Sequence, residues 1–153
     1  MAVLDIRKAG EKVLKEQAAP VTKIDRRLRK LLDDMAQTMY AANGVGLAAP
    51  QVGASLRMIV VDAGEGLIEL VNPVVVEREG CELGNEGCLS IPGVYGEVER
   101  SAKVRVEGVT REGRKVSLAA EGFLARVLQH EIDHLDGVLF IEKASSLYKG
   151  QKE

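Results

Sequence analysis

Both histidines of this 153-residue chain fall within one six-residue stretch, Gln129-His130-Glu131-Ile132-Asp133-His134. Around it Phe123, Leu124, Val127, Leu128, Ile132 and Leu135 recur at helical spacing. These apolar residues are wide-set rather than confined to one narrow stripe. The helix expected over 121–135 is therefore central and covered on several sides, and the other elements must pack around it. On such a helix His130 and His134 lie one turn apart and project from one face. Two imidazoles so placed can close on one metal ion, with Glu131 in position to handle protons. The plain alternative is an exposed amphipathic helix that happens to carry two histidines.

A catalytic divalent-metal centre takes three protein ligands and leaves a position for water. The chain has only two histidines, so the third ligand must be a carboxylate or a thiolate. Of the two cysteines, Cys88 sits in a stretch, 84–93, whose three glycines, proline and asparagine predict a loop. A cysteine held in a loop is a better ligand candidate than one inside an apolar strand, where a free cysteine acts as a small hydrophobe. A thiolate also suits a soft or borderline divalent ion. Cys81, at the edge of an expected strand, is read as structural.

The rest of the chain supplies layers for the helix to pack against. Leu28, Leu31, Leu32, Met35 and Met39 form an apolar stripe and predict a long helix over 25–42, capped by Asp25 and stopped at Asn43-Gly44. Before it, Val3, Leu4 and Ile6 suggest a short edge strand, and 8–17 a polar loop with a helical turn, ended by Pro20. The segment 44–53 reads as a helix end running into a flexible turn. Its Gly44-Val45-Gly46-Leu47-Ala48-Ala49 matches a dinucleotide-binding fingerprint, but a helix precedes it and Pro50 follows, the wrong context.

Strands are expected at 57–63, 67–71, 74–76, 94–100, 102–108, 114–120 and 138–141. Asn72-Pro73 breaks the second from the third, and Lys103-Val104-Arg105-Val106-Glu107 shows clean two-residue alternation. The expected fold is α+β: antiparallel or mixed sheets around a central C-terminal helix carrying HExxH, with a long N-terminal helix. One catalytic domain spans 1–153, and 142–153 is expected to be a polar, flexible tail.

Net charge is −2, the pI is about 5.8 and aromatics make up 3% of the chain, which argues against DNA or a membrane as partner. There is no basic-then-apolar leader and no apolar run of membrane-spanning length. The expected location is the cytoplasm, or an organelle if a transit peptide has been removed.

Three motifs together resemble those of the peptide deformylase family. They are Gly44-Val45-Gly46-Leu47-Ala48-Ala49-Pro50-Gln51, Glu86-Gly87-Cys88-Leu89-Ser90 and the histidine stretch, in that order. HExxH alone is only moderately specific; the three at these spacings are highly so. The resemblance also takes in the helix before the first motif and the strand-rich middle. It departs at the C-terminus, where many bacterial members continue into a helix and only 144–153 remain here.

The resemblance implies a hydrolase that removes the N-formyl group from the formyl-methionine of newly made polypeptides. Cys88, His130 and His134 would hold one divalent metal, Fe2+ in the cell, with Zn2+, Ni2+ or Co2+ possible in purified protein. A water activated by the metal would attack the formyl carbonyl. Glu131 would be the general acid/base, and the Gln51 amide and the Leu89 backbone N–H would stabilise the oxyanion. Val45, Gly46, Gly87 and Leu89 would bind the substrate, Val45 at an apolar pocket for the methionine. Formyl-methionyl nascent peptides, and with them proximity to the ribosome, are the implied partners. Gln129 and Asp133 could hold a ligand or a loop by hydrogen bonds, and a solvated or capping role is as open for Asp133.

Two rivals remain. An HExxH zinc peptidase would take a Glu or His ligand downstream, where there is no histidine and Glu142 is the sole glutamate before Glu153. A catalytically inactive metal-binding protein of the same fold would need neither Glu131 nor Gln51.

Overall fold

The structure, a computed structural model, describes residues 2–150. The described residues contain two α-helices, α1 (Arg26–Ala41) and α2 (Gly122–Leu135). They contain eight strands: β1 (Gly46–Ala48), β2 (Met58–Val61), β3 (Ile68–Glu79), β4 (Glu82–Cys88), β5 (Ile91–Arg100), β6 (Lys103–Val109), β7 (Lys115–Glu121) and β8 (Ala144–Lys149). All strand pairings between them are antiparallel, in a five-stranded sheet ordered β1-β2-β3-β6-β7 and a three-stranded sheet ordered β4-β5-β8. This is the expected α+β class.

Strand β2 shows how the layers form. All four of its residues are buried, because helices cover both faces of the larger sheet. Ile59 and Val61 point into a core shared with Val127, Leu128, Ile132 and Leu135 of α2. Met58 and Val60 point the other way, toward Leu28, Leu32, Met35 and Met39 of α1. Two-residue alternation thus feeds two apolar cores from one strand, each fully buried aliphatic side chain contributing roughly 1.5–3 kcal/mol. Helix α1 begins where the Asp25 carboxylate accepts the Leu28 N–H at 3.0 Å, and Asn43, just past its end, takes a positive φ of 56°.

Several expectations are corrected. Val3, Leu4 and Ile6 form no strand; the Ala2 and Leu4 N–H groups donate instead to Asp34 and Thr38 side chains of α1, both at 2.8 Å. The flexible turn expected over 44–53 is strand β1 followed by a 3-10 turn, Ala49–Val52, because β2 offers it a sheet edge. Asn72-Pro73 does not end a strand. Strand β3 runs through it with a shift in register, while the Asn72 side chain bonds the Val21 N–H and C=O.

The loop expected over 84–93 is mostly the β4–β5 hairpin, turning at Leu89-Ser90. The strand expected over 138–141 is a 3-10 turn, Phe140–Glu142, that buries Leu139 and Phe140. The tail expected to be flexible from 142 forms β8, paired to β5 through the backbone. The end of that tail, 151–153, lies outside the described residues.

Candidate metal centre

Helix α2 presents Arg126, His130 and His134 on one face, four residues apart. Hairpin β4–β5 brings Glu86 and Cys88 to meet them. The Cys88 Sγ stands 3.4 Å from His134 Nε2. One ligand atom from each of Cys88, His130 and His134 falls within 4.8 Å of the others. The two imidazole rings cross edge-on, centroids 5.0 Å apart.

The His130 ring is fixed from behind. Its Nδ1 lies 2.9 Å from Glu86 Oε1, which leaves Nε2 as its free ring nitrogen. Burial alone would raise the Glu86 carboxyl, but its bonds from Arg100 and His130 outweigh that and hold it well below the usual carboxylate range. Burial likewise opposes a charged His130, yet the Cys88 sulfur and Glu86 together raise its pKa to about 10. His134, buried and facing His130, is held well below the ordinary imidazole value, so it is neutral and can act as a ligand.

Glu131 is buried where strand β1 crosses the helix. A Cβ added at Gly46 would stand 2.5 Å from Glu131 Oε2, so this close approach requires glycine. Burial, above all, pushes the Glu131 pKa up to about 7. Its Oε1 has no hydrogen-bond partner among the described residues. A buried carboxyl left open in this way, at a pKa suited to proton transfer near neutrality, fits a site that takes a further group. The donor set of one thiol and two imidazoles fits a borderline divalent metal.

Gln51 is oriented from both ends. The Ala48 N–H donates to its Oε1 at 2.9 Å, so the amide nitrogen faces Cys88 Sγ at 3.6 Å and Ser90 Oγ at 3.1 Å. Val45, Gly46, Gln51, Gly87, Cys88, Leu89, His130 and Glu131 all border one cleft of about 530 Å³. His134 lies behind this lining. Phe123, counted in the sequence among the apolar residues of α2, is 54% exposed and borders the cleft as well.

Gln129 exchanges hydrogen bonds with the Ser101 backbone, donating to its C=O and accepting its N–H, and so ties α2 to the β5–β6 turn. Asp133 pairs with Arg100 and, at 3.0 Å, with Lys143. Cys81 is exposed and donates to Glu99. Glu142, the carboxylate a zinc-peptidase reading would recruit, is engaged by Lys15 and the Leu139 N–H.

Glu86, Arg100, Arg126 and Ser90 carry the site's supporting bonds; Glu86 and Ser90 stand in the sequence only as members of the cysteine motif, without a role, and Arg100 and Arg126 are not marked there at all. Spacing held a signal for two of them. Glu86 is two residues before Cys88 in a strand, and Arg126 is four before His130 in a helix.

A thiol and two imidazoles gathered beside a buried carboxyl with one open oxygen form a donor set that could hold a metal ion, as in a metal-dependent hydrolase. The sequence profile of the polypeptide deformylase family matches residues 3–150. The chain is 56% identical over 149 residues to the peptide deformylase of Pelotomaculum thermopropionicum, covering 97% of this chain and 96% of that one. It is 59% identical over 145 residues to that of Halothermothrix orenii, covering 94% of each. It is similar in structure to the crystal structure of peptide deformylase from Thermotoga maritima, with a TM-score of 0.93 and 45% identity, covering 95% of this chain and 100% of that chain. The chain belongs to the polypeptide deformylase family and is an enzyme of that metal-dependent family, whose function is deformylation of nascent peptides. No helix among the described residues is long and apolar enough to cross a membrane.

Proposed function

We propose that this chain hydrolyses the formamide of N-terminal formyl-methionine on newly made polypeptides, in the cytoplasm and close to the ribosome. The observation that carries the mechanism is the buried Glu131 carboxyl, open at Oε1 and bordering the same cleft as Cys88 and His130.

Cys88, His130 and His134 would hold one divalent ion. When bound, that ion would supply Lewis acidity and lower the pKa of a water molecule toward neutrality. Fe2+ is the proposed native metal, and the same donors accept Zn2+, Ni2+ or Co2+. Glu131 takes the proton of the attacking water and returns it to the departing amine. The Gln51 amide, its donor end set by the Ala48 N–H, and the backbone N–H of Leu89 receive the negative charge that develops on the formyl oxygen.

Strand β1 lies at the edge of the five-stranded sheet, so the backbone of Gly46 can pair with an extended peptide. Gly87 borders the same cleft from β4 and can flank the same peptide. Val45, 41% exposed at the cleft, supports an apolar place for the methionine side chain.

The test is turnover of formyl-Met peptides by protein purified anaerobically, with its metal content measured in the same sample. Release of formate in proportion to bound metal supports the proposal. A fully metal-loaded protein without turnover overturns it and favours an inactive metal-binding protein of this fold.

A further inference from the structure

Arg126 stands out among the groups the proposed chemistry leaves unused. Its side chain is nearly buried between α2 and the β4–β5 hairpin. Nη1 donates to Glu86 Oε2 and to the Val98 C=O, both at 2.8 Å, and Nη2 donates to the Glu82 C=O at 2.9 Å. One side chain therefore bonds both strands of the hairpin as well as the carboxylate that orients His130. Gly84 makes room for it: a Cβ there would stand 2.7 Å from the guanidinium carbon. Gly84 has no positive φ, so its lack of a side chain answers to the guanidinium and not to the backbone.

The ligands come from the two elements that Arg126 joins. Cys88 ends β4, two residues beyond Glu86 and four beyond Gly84. His130 is one turn beyond Arg126 on α2. The separation of hairpin and helix decides how Cys88 meets the two imidazoles.

We propose that Arg126 is a positioning residue for the metal centre, setting the placement of Cys88 against His130 and His134 by clamping the β4–β5 hairpin to α2. Three acceptors in a fixed fan suit a planar guanidinium and not an ammonium. The proposal rests on the metal reading above.

The test is the dissociation constant for Co2+, followed through the thiolate-to-metal absorption band and measured anaerobically well below each variant's melting temperature. Arg126→Met should weaken binding about 10- to 100-fold, the usual cost of losing a partner that orients a ligand. Arg126→Lys should recover only part of the loss. Gly84→Ala, which keeps the arginine but displaces its guanidinium, should shift affinity in the same direction and keeps the test open if Arg126→Met does not fold.

Unchanged affinity in Arg126→Lys and Gly84→Ala, with only melting temperatures lowered, would make Arg126 a purely structural clamp and overturn the proposal. If the unaltered chain showed no thiolate-to-metal band, the metal reading itself would fail, a result distinct from failure of the Arg126 assignment.

Discussion

Arg100 meets Glu86 in two bonds, Nε to Oε2 and Nη2 to Oε1, each 2.9 Å long and both buried. The same carboxylate accepts from Arg126 and meets His130 Nδ1, while Asp133 takes the remaining Arg100 nitrogen, so two acids balance the two guanidiniums. Removing one member of a buried ion pair leaves its partner charged and unmatched. Glu86→Gln is expected to lower the stability of the metal-stripped protein by about 3–5 kcal/mol, measured by urea denaturation. A loss under about 1 kcal/mol would mean that the arginines find other acceptors.

Glu131→Gln preserves shape but cannot take a proton. Metal content should match that of the unaltered chain, while kcat falls by about 10²–10⁴. Steady-state kinetics with a formyl-Met peptide, paired with metal analysis, makes the comparison. Strong residual turnover at full metal loading would place the proton-handling role elsewhere.

The two cysteines should separate cleanly. Cys88 faces His134, whereas Cys81 is exposed and bonded to Glu99. Cys88→Ser is expected to lose metal on dialysis and Cys81→Ser to retain it. Equal metal content in both would refute the assignment of Cys88 as a ligand.

Asp34 links the N-terminal segment to α1. Its hydrogen bond from Lys30, aided by the Ala2 N–H, lowers its pKa below the ordinary 3.8. A carboxyl depressed in the folded state contributes stability that is fully present above its unfolded value. That contribution is lost as pH falls through the folded value. Stability should therefore decline more steeply below about pH 4 in the unaltered chain than in Asp34→Asn. Urea midpoints collected from pH 5 to pH 2.5 test this, and parallel curves would rule it out.

The parts of the fold that were legible in the sequence have apolar faces. Helix α1 shows its stripe and its Asp25 cap, and β6 shows its alternation. Strand β8 was missed because Ala144–Lys149 buries little and is held by backbone pairing with β5, which leaves no hydrophobic period. Strand β4 reads as a loop in the sequence for a different reason. Its inward face meets arginines instead of aliphatic residues, so it is built from glycine and glutamate.

The same contrast holds at the site. His130, Glu131 and His134 were visible because one helix carries all three. Cys88 stood out by residue type and motif, though its strand did not. Arg100 had no signal at all, since its partners Glu86 and Asp133 lie 14 and 33 residues away.

Cys88 and His134 are separated by 46 residues and meet only when the hairpin docks on the helix. The complete set of donors therefore does not exist in the extended chain. During synthesis the cysteine emerges well before either histidine, and neither half can match the grip of the assembled whole. On the proposed ligand set, tight capture of the ion would require the docked hairpin, and its free energy would add to the stability of the native state. Cells short of the metal would thus hold less folded enzyme as well as less active enzyme.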